Sequence, residues 1–206
     1  MRQLRSVLAL TAAALLLHPA TAARHWNQSP LPRPGATPQQ QAMDYVHIMD
    51  MRSPTDLAST QWLPPLAMNV ESGEKAMYAD FVIVAVVHVT LKADGASVDL
   101  HDDEMPVLSD GDGNRLAPIA DAVQPEALKT LLDHKRRLLQ TKALPAEIAD
   151  TPPFLRNLLE AYMRNLRFYA FRPGAIRECA KGRLTIAFAG RDYVFDTPLP
   201  GCTPLP

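Results

Sequence analysis

His47, Met49 and Met51 stand at alternate positions of the segment AMDYVHIMDM. On a strand, alternate side chains share a face, so an imidazole and two thioethers would project together. Soft sulfur with nitrogen suits Cu(I). His88, His101 and Met105 could join that set only if the fold carries them near. Packing is the plainer role, since Met is a common filler of irregular cores. Asp110, Asp112 and Asn114 place three oxygen donors at alternate positions, and Asp121 is the twelfth residue counted from Asp110. That spacing imitates a calcium-binding loop, but Arg115 occupies the position where such a loop needs Gly. A Gly/Asp/Asn turn explains the same residues, because they tolerate positive φ. His101-Asp102-Asp103-Glu104 joins a histidine to three carboxylates and could ligate a divalent metal. Adjacent side chains point in different directions, however, which favours a solvated loop.

The chain has no G-x-S-x-G, no H-E-x-x-H, no phosphate-binding glycine loop and no C-x-x-C. An unrecognised hydrolase is therefore only a second alternative, behind binding functions. Of its two cysteines, Cys179 precedes the segment RLTIAFAGRDYVFDTPLPGC and Cys202 ends it. Gly190-Arg191 suits a type II′ hairpin turn, with Gly at the first central position. In that register Phe188 faces Tyr193, Ile186 faces Phe195 and Leu184 faces Thr197, and the cysteines lie equally far from the turn. A structural disulfide is expected, because the close spacing of a redox pair is missing.

The elements that must position these groups are legible in outline. Phe81–Leu91 reads as a strand with apolar residues on both faces over its first half, hence central and covered on both sides. Asp94-Gly95 is a hairpin signal with Val98–His101 returning. Met105–Leu108 and Arg115–Ile119 read as short strands. Two helices follow. Pro125 opens the first, with a stripe of Leu128, Leu131, Leu132, Leu138 and Leu139. Thr151 is the expected N-cap of the second, whose stripe is Leu155, Leu158, Leu159, Tyr162 and Leu166.

The stretch at 79–118 resembles the opening strands of telokin-like, immunoglobulin-like domains of exported bacterial proteins. Those domains pair a long Val-rich strand with a segment of the form F-x-L-x-D-x-x-G-x-x-Y-x-P. Met105, Leu108, Asp110, Gly113 and Pro118 approximate it, without the Phe and Tyr. The resemblance implies a binding or scaffold module. With it, the expected class is α+β, an antiparallel sandwich-like (immunoglobulin-like) core with two helices inserted at about 125–166.

Residues 1–22 have the form of a signal peptide. Arg2 and Arg5 precede a 12-residue apolar run from Ser6 to Leu17, and Ala20-Thr21-Ala22 offers a cleavage site. The run is shorter than the roughly 20 residues a membrane span needs. Residues 23–42 are Pro- and Gln-rich and read as a linker or tail, leaving 43–206 as one globular domain. A formal net charge of −1 argues against nucleic acid as a general partner.

That charge is uneven: residues 23–122 hold 6 Lys+Arg against 14 Asp+Glu, and residues 123–206 hold 13 against 8. His134, Lys135, Arg136, Arg137, Arg156 and Arg164 are thus candidates for a partner-binding surface on the helices. The expected protein is periplasmic or secreted, with no transmembrane segment after cleavage. Its expected role is non-enzymatic binding of a protein or envelope partner. Metal binding, copper or calcium, is the alternative, with no cofactor otherwise expected.

Overall fold

β3, Val82–Leu91, organises the molecule, and all but Thr90 of its ten residues are buried. This computed structural model describes residues 35–68, 74, 77, 78, 80–141, 151–174 and 176–202. The signal-peptide assignment and most of the assigned tail lie outside the described residues. In chain order the other elements are α1 (Pro38–Tyr45), β1 (His47–Ser53), β2 (Asp56–Trp62), β4 (Val98–Leu100), β5 (Val107–Ser109), β6 (Arg115–Leu116), a 3-10 turn (Asp121–Val123), α2 (Glu126–Thr141), α3 (Pro153–Arg164), β7 (Arg167–Phe171), β8 (Gly182–Phe188) and β9 (Arg191–Thr197).

These elements form an α+β fold of two antiparallel sheets. One has the order β1-β2-β3, with β4 and β7 pairing successive parts of β3; the other runs β6-β5-β8-β9. The residues of β3 alternate between two cores, which is why both its faces are apolar. Val82, Val84 and Val86 point toward the second sheet and pack with Leu184, Ile186, Tyr193 and Phe195. Ile83, Ala85, Val87 and Val89 point the other way, against Leu128, Leu131 and Leu132 of α2 and Leu158 and Tyr162 of α3. The helices are inserted between β6 and β7 and form a third layer on the outer face of the first sheet.

Three local expectations need correction. The segment assigned to a tail through residue 42 is helical from Pro38. Thr37 accepts from the Gln40 N–H while the Gln40 side chain accepts from the Thr37 N–H, a capping box that starts the helix. Ala42 and Tyr45 are then buried. The glutamines outweighed that short apolar face in the composition. In α3 Pro152, not Thr151, holds the N-cap position, without a side-chain cap. Pro153 needs no N–H at the first helical position.

The third correction concerns the β8–β9 turn, which is Ala189-Gly190. Both residues have positive φ, 50° and 71°, as a type I′ turn requires. Partners shift by two: Phe188 with Arg191, Ile186 with Tyr193, Leu184 with Phe195. An even shift leaves the same residues facing the core, so hydrophobic pattern cannot choose between the registers. Contacts to β1 distinguish the observed turn: Arg52 donates to Ala189 O and to Tyr193 Oη. Cys179 and Cys202 nevertheless join, with Cα atoms 5.4 Å apart. Beyond the last ladder pair, Gly182 with Thr197, the chain runs three residues to one cysteine and five to the other. The longer arm absorbs the shift.

Candidate metal centre

Where β3 passes beyond its apolar half, the inward positions change to His88 and Thr90. β2 pairs Asp56 with Thr90, so the Asp56 carboxylate lies diagonally beside His88. On the opposite side the chain leaves β4, and the His101 N–H donates to His88 O at 3.1 Å, continuing the ladder by one step. A tight turn follows, with Glu104 N–H donating to His101 O. Strand pairing and this turn therefore bring together four side chains from three places in the sequence.

The geometry is close. His88 Nε2 lies 2.9 Å from Asp56 Oδ1, and Nδ1 lies 2.9 Å from Glu104 Oε2. The His88 and His101 rings stack with centroids 4.0 Å apart and planes at 20°. His101 Nε2 is 3.0 Å from Thr90 Oγ1. His88 is buried at 8% exposure, while the Glu104 side chain is one-third exposed, so the cluster opens to water on its carboxylate side. Arg167, on β7, donates to His101 O at 2.8 Å and to Asp102 O, tying the loop to the sheet.

His88, His101 and Glu104 each offer a ligand atom, and these atoms lie within 4.8 Å of one another. Two imidazoles and a carboxylate suit a divalent transition metal, and Asp56, on the other ring nitrogen of His88, would orient that imidazole from outside the ligand set. Tetrahedral zinc places its ligands about 3.3 Å apart for bonds of about 2.0 Å. His88, His101 and Glu104 would have to close in from their present span to hold a metal ion.

The copper and calcium sets fare differently. His47 Nε2 is committed, at 2.9 Å from Tyr162 Oη and 3.2 Å from Ser59 Oγ beneath α3. Met49 and Met51 share its face of β1 but are 40% and 44% exposed. Their role is thus not core packing, and the imidazole they would need is turned to the helix. Asp110 spends its oxygens on its own turn. Oδ1 accepts from the N–H groups of Asp112 and Asn114, and Oδ2 accepts from the Asn114 amide. Those bonds, the Asn114 side chain first, hold the Asp110 carboxyl below the usual carboxylate range. Asn114 presents a donor there rather than an oxygen, and Asp121 pairs with Gln124 in the 3-10 turn. The four residues do not form a calcium cage.

The basic helix residues are largely engaged by neighbours. Arg136 pairs with Asp133, Lys135 with Glu74, and Arg164 with Glu160 and the Gln140 carbonyl. Arg156 reaches Thr151 O. His134 and Arg137 are exposed on α2. Among the described residues no helix is long and apolar enough to cross a membrane.

Burial pushes the His47 imidazole below its ordinary value and the Tyr162 hydroxyl above its own. The folded chain therefore holds His47 neutral while the unfolded chain protonates it below about pH 6.5. Its contribution to stability is complete above that pH and shrinks as pH falls toward the lowered folded value. Denaturant midpoints between pH 7 and 5 should fall less steeply for His47→Gln than for the parent. Equal slopes would contradict a neutral buried imidazole.

Compared with protein-family models, curated proteins and solved structures, the chain finds no match. Fold and site geometry therefore carry the functional reading alone.

Proposed function

We propose that this protein is an exported, non-enzymatic binding module that holds a divalent transition metal through His88, His101 and Glu104, with Asp56 orienting the His88 ring from its other nitrogen. The observation that carries this is the convergence of two imidazoles and a carboxylate within 4.8 Å on one face of the first sheet, fixed by strand pairing. Arg167 supports the reading, because it fastens the loop bearing two of the ligands by backbone carbonyls and leaves the His101 and Glu104 side chains to the site. A ligand loop tied down before binding loses less entropy on capture. The four- and five-stranded antiparallel sheets facing across one core support an immunoglobulin-like assignment. Export is supported by the signal-like leader and by the disulfide, which persists in oxidising compartments.

Titration of chelator-treated protein with Zn²⁺ or Ni²⁺ should give one site. His101→Ala and Glu104→Gln should each weaken it by 10-fold or more, the scale on which lost ligand-shell groups act. Met49→Leu/Met51→Leu should leave it unchanged. His101 and Glu104 are partly exposed, so their variants should keep the parent circular dichroism spectrum. Retained affinity in both folded variants would overturn the assignment.

A further inference from the structure

A second feature lies on the opposite face of the first sheet, between the end of α2 and the start of β7. There a cavity of about 540 Å³ opens, with Leu63, Leu139, Leu166 and Phe168 in its wall. That volume falls in the range of small-molecule sites, which are mostly apolar with a few placed polar groups. Leu138 and Met43 line it as well and remain 50% and 41% exposed, so apolar surface faces water at the mouth.

The polar groups are few and of one character. Lys135 contributes an ammonium, Gln61 an amide, and Thr141 a hydroxyl that already donates to Arg137 O. Among the described lining residues there is no carboxylate. Lys135 Nζ lies 3.8 Å from Glu74 Oε2, at the outer limit of an ion pair, so it keeps hydrogens for a second anion. Lys135 is the one charged side chain among the described lining residues. Charge complementarity thus favours a single negative head on an apolar body.

We infer that this cavity binds a long-chain fatty acid, its alkyl chain against Leu63, Leu139, Leu166 and Phe168 and its carboxylate on Lys135. The site is independent of the metal centre and needs none of its residues.

Calorimetric titration of the full protein with dodecanoate, below its micelle concentration, should show saturable one-to-one binding. Shortening the chain by two methylenes should weaken it by about tenfold, as burial of each methylene predicts. Dodecanol should bind more weakly than dodecanoate. Lys135→Gln should bring the two to similar affinities, whereas Leu139→Asp should abolish both. His101→Ala should bind dodecanoate as the parent does, which separates this site from the metal centre. Lys135→Gln alters a partly exposed side chain, so it decides the matter even if Leu139→Asp misfolds. Non-saturable binding, or dodecanoate affinity unchanged in folded Lys135→Gln, would overturn the inference.

Discussion

Asp50→Ala is expected to destabilise the protein by about 4 kcal/mol, read as a lower urea midpoint with little change in slope. Asp50 lies in β1 with its side chain turned toward the second sheet and is 2% exposed. Arg191 Nη1 donates to both of its oxygens at 2.8 and 2.6 Å, and Tyr193 donates to Oδ2 at 3.0 Å. Arg52 adds an ion pair at 3.4 Å and reaches the β8–β9 turn. Burial pushes the Tyr193 hydroxyl up to about 12, so it stays a donor throughout the working pH range.

Two cations and a phenol therefore depend on one carboxylate. Removing it leaves them facing each other in a poorly solvated gap, and breaking a buried pair from one side costs several kcal/mol. Arg191→Ala should cost less, since Asp50 keeps Arg52 and Tyr193 and Arg191 is partly exposed. Equal losses, or an Asp50→Ala loss below about 1 kcal/mol, would mean that solvent carries the charges and the network is not a clamp.

Removing the disulfide is the second large effect. Cys179→Ser/Cys202→Ser should cost about 3.5 kcal/mol, the loop-closure entropy of about 24 residues. The bond closes the hairpin where its ladder has ended, because Pro198 and Pro200 have no N–H for continued pairing. The parent treated with reductant under mild denaturant should match the double variant. Thiol titration of the unfolded, unreduced protein should find none. A variant as stable as the parent would show that the longer arm is held by packing, with buried Leu199 as its anchor.

Much of the architecture follows from local rules. Ten residues of apolar alternation made β3 a central strand, and Asp94-Gly95 turned it into β4. Leucine stripes at helical spacing placed α2 and α3. The weak elements escaped for physical reasons. β2, DLASTQW, hides Ser59 and Thr60 completely, and polar residues on a buried face look like loop residues in a sequence. α1 has only Ala42 and Tyr45 to bury and owes its start to one capping box. The β8–β9 register was open because a two-residue slip preserves the inward face.

His88, His101 and Glu104 were visible as residues able to do chemistry; their association was not, and nothing local marked Asp56. His101 and Glu104 stood out as a compact run, and His88 as the residue interrupting an apolar strand. What joined them was the antiparallel return of β4 on β3, which sets His101 beside a residue 13 positions earlier. Asp56 came from β2, 32 positions away. Conversely, His47 and its methionines had the better local spacing, yet α3 delivered Tyr162 to that imidazole across 115 residues. Spacing along a strand fixes which face a side chain takes. Only the packed layers fix what else reaches that face.

By itself, then, the sequence determined the central strand and the inserted helix pair, because each rests on periodicity within a few residues. Tertiary structure alone decided which side chains converge, which histidine is sequestered, that Asp50 is a buried hub, and that a cavity lies between α2 and β7. Those are matters of long-range register and layer packing, where groups distant in the chain meet and local rules carry no information.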